Sequence, residues 1–89
     1  MNQEVDALRK QIEKVEQNLA GSLTPQTKQN ARNDIGVILR DVSVLLGKMT
    51  EAMILDDLAI YSFDDEDPVY IMDIERRALV LKNAIECLL

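Results

Sequence analysis

An all-α bundle of three helices in antiparallel hairpins is the architecture to expect of this chain, and three observations lead to it. Apolar residues recur at steps of three and four along most of its length, the period of a helix with one buried face. The core must be aliphatic, because the 89 residues include two Tyr, one Phe and no Trp. Only three glycines and two prolines are present, which leaves long segments free of the residues that interrupt helices.

The first helix is expected over 3–20. Val5, Leu8, Ile12, Val15 and Leu19 form its stripe, and Arg9, Lys10, Glu13, Lys14 and Glu16 its solvated side. Gly21 is placed to end it as a left-handed residue beyond the last turn. Thr24-Pro25 then signals a new start, with a hydroxyl to cap free N–H groups and a proline where no N–H is needed.

The second helix is expected over 25–62. Its stripe is Ala31, Ile35, Ile38, Val42, Leu45, Met49 and Ala52, widened by Leu39, Leu46 and Met53 to the three-in-seven face that a bundle helix buries. Gly47 lies within the pattern without shifting its phase, so the helix is read as continuous there at a cost of about 1 kcal/mol relative to Ala. The register fails only at Asp56-Asp57. The third helix is expected over 68–88, with Asp67 as N-cap, Pro68 in the first turn, and a stripe of Ile71, Ile74, Ala78, Leu81, Ile85 and Leu88.

Short connections fold neighbouring helices back on each other, so the first helix should lie along the first half of the second, and the third along its second half. A helix over 25–62 would be roughly 57 Å long, whereas a compact chain of this size has a radius of gyration of about 12 Å. Each hairpin would leave part of its stripe in water. A two-fold homodimer that closes a four-helix layer is therefore expected, with Ile54, Leu55, Leu58 and Ile60 as its candidate interface. The alternative is a compact four-helix monomer broken near Gly47.

Residues 1–89 make one domain. Net charge is −6, and its distribution says more than its total. Residues 1–48 carry six acids and seven bases, and residues 76–89 carry three bases and one acid. Residues 49–75 carry nine acids and no base. That balance argues against direct binding of nucleic acid or an anionic membrane. No apolar run approaches the roughly 20 residues that span a bilayer, the first 14 residues lack the apolar centre of a leader, and the single Cys87 forms no internal disulfide. A cytoplasmic protein is expected.

The residues of an enzyme are missing. There is no His to act as a base or metal ligand, so Ser22, Ser43, Ser62 and Cys87 have no activating partner. Three scattered glycines make no phosphate loop. Glu13 and Glu16 have the E-x-x-E spacing of a Mg²⁺-dependent nucleotide hydrolase, but matching acids on a facing helix are lacking, and surface ion pairing explains them better. Asp65 and Asp67 alternate as in a calcium loop, without the glycine that such a loop requires. No cofactor or metal is expected.

What remains is a surface for a partner. Tyr61, Phe63 and Tyr70 are the only aromatics, and they flank Asp64, Asp65, Glu66 and Asp67. Acids suit the start of a helix, but one suffices to cap it. An apolar cluster ringed by one sign of charge suits a protein with a basic surface; the plainer reading is that the rings plug the end of the bundle. The expected function is a protein–protein interaction module: an adaptor, anti-regulator, small chaperone or inhibitor. In outline the chain resembles small helical chaperones and regulators, a likeness of architecture without a shared motif. Two other readings are weaker: an acidic nucleic-acid mimic, and a DNA-binding regulator using Lys28, Arg32 and Arg40, which Asp34 and Asp41 interrupt.

Overall fold

Each apolar stripe is buried, and all three meet within one chain. The computed structural model describes residues 1–88, with side chains through Cys87. Helix α1 spans Gln3–Ala20, α2 Pro25–Ile54 and α3 Asp67–Leu88, with a short 3₁₀ turn over Leu58–Tyr61. No strand occurs among the described residues. Leu88 and Leu89, the first the last member of the expected α3 stripe, have side chains outside the described residues.

The helix starts follow their sequence signals. Asn2 Oδ1 accepts from the N–H groups of Glu4 at 2.8 Å and Val5 at 3.3 Å, capping α1. Thr24 and Thr27 form a reciprocal capping box, and Pro25 occupies the first turn of α2. Gly21, by contrast, has a φ of −87° and is not left-handed. The turn is held by side chains: Thr27 Oγ1 donates to the Ser22 carbonyl at 3.0 Å and accepts from the Thr24 N–H at 2.8 Å.

Helix α2 passes unbroken through Gly47, which removes the four-helix alternative. It stops at Ile54, however, and not at residue 62. The Asp56 N–H donates to the Met53 carbonyl and the Asp57 N–H to the Ala52 carbonyl, with Asp56 left-handed at φ 53°. That is a Schellman closure with an L-residue where glycine is usual. The 3₁₀ turn ends in the same way: Ser62 has φ 59°, its N–H donates to Ala59, and the Phe63 N–H donates to Leu58. Two such closures within seven residues turn the chain from α2 into α3.

The core is formed by Val5, Leu8, Ile12 and Val15 of α1, the seven expected positions of α2, and Ile71, Ile74, Ala78 and Ile85 of α3, closed by Phe63. Leu19, Leu39, Leu46 and Leu81 pack half-buried against it. Met53 does not, with 61% of its surface exposed.

Helices α1 and α3 both begin where α2 ends. Glu4 pairs with Lys48 at 3.6 Å, and Ile35 and Lys82 line one groove with Ile85. Each therefore runs antiparallel to α2 along most of its length, and they lie parallel and packed against one another. This corrects the expected division of α2 into two halves. At 30 residues α2 is about 45 Å long, which accounts for the longest dimension of 46 Å. Because α1 meets α3 directly, the shelter expected from a second copy is found within the chain.

Candidate interaction surface

The acidic turn splits into an inner and an outer half. Asp67 is fully buried. Its carboxylate accepts from the N–H of Asn2, at 3.2 and 3.1 Å, and from the N–H of Asp64 at 2.8 Å. Asp64 Oδ1 in turn accepts from the N–H groups of Glu66 and Asp67, at 3.0 and 3.1 Å. Asp64 and Asp67 thus form a reciprocal pair of the capping-box type, and the capping role expected of Asp67 passes to Asp64. The Asn2 side-chain amide donates to the Tyr61 and Ser62 carbonyls, at 2.8 and 3.4 Å. One residue therefore ties together the starts of α1 and α3 and the end of the 3₁₀ turn.

The Met1 amine lies 2.7 Å from Asp64 Oδ2. Hydrogen bonding to Asp64 raises the amine above its ordinary range, and the same bond holds the Asp64 carboxyl below the usual carboxylate range.

The aromatics close the bundle. Phe63 is buried, and Tyr61 and Tyr70 pack half-buried against the core. The Tyr61 and Phe63 rings lie tilted at 6.2 Å, and Lys48 Nζ sits 5.7 Å from the Tyr61 ring centroid, within cation–π range. Hydrogen bonding to Glu51 raises the Tyr61 hydroxyl above the usual tyrosine range. Of the seven residues expected to face a partner, Phe63 and Asp67 point inward, Asp64 is engaged in the cap, and Asp65 and Glu66 are exposed.

The residues expected at a dimer interface divide similarly. Leu58 packs half-buried on the core. Ile54, Leu55 and Ile60 are exposed, at 78%, 55% and 47%, and Met53 joins them. These four bracket the α2 closure at Asp56 and Asp57, both exposed. None of Asp56, Asp57, Asp65 or Glu66 forms an ion pair among the described residues. The end of the bundle thus presents an apolar tip with acids that no described cation contacts. Asp56-Asp57 marked this place in the sequence as the break in register; Met53 was hidden by fitting the stripe.

Elsewhere the chemistry is structural. Glu13 pairs with Arg9 at 3.3 Å, and Glu16 takes up Arg77 of α3. Among the described residues no three His, Cys, Asp or Glu gather as a metal site, and no helix is long and apolar enough to cross a membrane. The chain matches no protein-family model, no curated protein and no solved structure.

Proposed function

We propose that the protein is a non-enzymatic interaction module of the cytosol that docks another protein on the tip where α2 ends. The observation that carries this reading is the exposure of Met53, Ile54 and Leu55 in sequence, at 61%, 78% and 55%, with Asp56 and Asp57 directly following and forming no ion pair among the described residues. Exposed aliphatic side chains grouped within one charged rim mark interaction sites more often than scattered ones do. The acids select a partner whose own apolar patch is bordered by Lys or Arg, and repel one bordered by acids. The rigidity of the turn, fixed by two Schellman closures and the Asn2–Asp67 bonds, lowers the ordering cost of docking.

Affinity capture with purified wild type beside Ile54→Glu and Asp65→Asn/Glu66→Gln variants tests the proposal. A partner retained by wild type, lost with Ile54→Glu and bound less tightly by the neutralised variant is expected. Both variants should melt as wild type does. Equal retention by all three proteins refutes this docking face.

A further inference from the structure

Helix α3 carries two apolar stripes, and its own chain covers one. Opposite the buried Ile71, Ile74, Ala78 and Ile85 run Val69, Met72, Leu79 and Val80, exposed at 69%, 65%, 44% and 60%. Val69, Met72, Arg76, Val80, Asn83 and Cys87 step by 3, 4, 4, 3 and 4, one face of the helix over five turns. Exposed aliphatic residues grouped along one helix face mark a surface that a partner can cover.

Charge identifies the occupant. Across a two-fold axis a patch meets a copy of itself, so a surface of one sign repels its own image. The acidic tip of α2 is such a surface. The α3 stripe is not: Arg76 lies on it beside the acids Asp73 and Glu75, so both signs are present. Asp73 and Arg76 share the open groove with Met72, Leu79 and Val80 and pair with each other at 2.6 Å.

We infer that the outer face of α3 is an interface with a second copy of this chain, the two α3 helices crossing antiparallel about an axis between residues 74 and 75. That register sets Val69 against Val80 of the second copy and Asp73 against its Arg76. The two Asp73–Arg76 pairs then close a quartet of alternating sign, flanked by the Met72 side chains. A parallel pair would set Arg76 against Arg76 and Asp73 against Asp73. The contact is one helix wide, at the small end of specific interfaces, so the dimer forms and dissociates with concentration. It uses neither Asn2, the acidic turn nor the tip of α2, and stands whether or not that tip binds a partner.

Sedimentation velocity from about 5 to 500 µM, a span that covers micromolar affinity, tests the inference. Wild type should move from 10.1 kDa toward twice that mass. Val80→Glu, at an exposed position, should stay monomeric throughout with an unchanged circular dichroism spectrum, Arg76→Asp should weaken association at least tenfold, and Ile54→Glu should dimerise as wild type does. A spin label on the exposed Cys87 reads the orientation. Antiparallel helices place the two labels roughly 37 Å apart along the axis, at 1.5 Å per residue, and parallel helices place them side by side. A wild-type monomer at the highest concentration, a dimer that survives Val80→Glu, one abolished by Ile54→Glu, or adjacent labels would each overturn it.

Discussion

Arg77 of α3 reaches Glu16 of α1 with two nitrogens, Nε at 3.3 Å from Oε2 and a terminal nitrogen on Oε1, while its other terminal nitrogen lies 3.5 Å from Asp73. This fork fixes the register of the two helices that run parallel. Hydrogen bonding to the Glu16 carboxylate raises the already high guanidinium range of Arg77 further. The side chains are 25% and 36% exposed, so solvent screens much of the attraction. Arg77→Ala should cost about 1 kcal/mol, and Arg77→Lys should recover only part of it because an ammonium cannot bind both oxygens in one plane. A double-mutant cycle with Glu16→Gln in urea unfolding measures the coupling; a value near zero would remove the pair from the list of what holds α1 on α3.

Asp67 and Asp65 are the same residue type two positions apart with opposite surroundings. Asp67 is fully buried beneath two backbone N–H groups, and Asp65 is exposed. Asp67→Ala strands both donors and should cost about 2–3 kcal/mol. Asp65→Ala should change stability by less than about 0.5 kcal/mol. Chemical denaturation of the two variants side by side checks the contrast.

The backbone offers two gains in stability by opposite substitutions. A Cβ at Gly47 would meet nothing within 4 Å, so Gly47→Ala should stabilise α2 by about 0.5–1 kcal/mol. Asp56 is left-handed at φ 53°, where a side chain is a burden, and Asp56→Gly should gain a similar amount, about 0.5–1 kcal/mol. Asp56→Val should lose more than about 1 kcal/mol, since a branched Cβ is least at ease there. Thermal unfolding followed at 222 nm reads all three.

The pair between the Met1 amine and Asp64 gives stability two pH limits. The amine is raised in the folded chain from 8.0, so its contribution is complete below that value and disappears as pH rises through the raised one. Asp64 is lowered from 3.8, so its contribution is present above that value and disappears as pH falls through the lowered one. Asp6, held low by Arg9 and Lys10, and Asp73, held low by Arg76, share the acid limit. Melting temperature should therefore be flat between these limits and fall on both sides. Asp64→Asn should flatten the alkaline fall and reduce the acid fall to the shares of Asp6 and Asp73; an unchanged alkaline limb would show that the amine contributes nothing.

Much of this architecture was legible in steps of three and four. Every α2 position from Ala31 to Ala52 on the expected stripe is buried, because a helix exposes the same face wherever it lies. The partner of each face was not legible: periodicity says that Ile12 and Ile74 are inside, and nothing about α1 lying on α3. The end of α2 was half-visible, since Asp56-Asp57 broke the register while no glycine or proline announced a stop. The acidic turn was legible in part. Asp67 before Pro68 was expected to cap α3, but composition does not distinguish a carboxylate that receives backbone N–H groups from one that faces water. The capping Asp64 and the buried Asp67 were therefore counted with the exposed Asp65 and Glu66 as partner-facing. The outer stripe of α3 was present in the spacing of Val69, Met72 and Val80, masked by the stronger signal of Ile71, Ile74 and Ala78.

The bonds between Asn2 and Asp67 join residues 65 apart in the chain. Joining them closes a loop over most of the chain, a larger entropic cost than the hairpin of α1 and α2 bears. Until that loop closes, the backbone N–H and side-chain amide of Asn2 are left to water. The seam is therefore expected to close late, when the beginning of the third rod arrives beside the beginning of the first. Loosening it should accordingly hasten unfolding more than it slows folding, and the protein's persistence, more than its speed of assembly, is set at that seam.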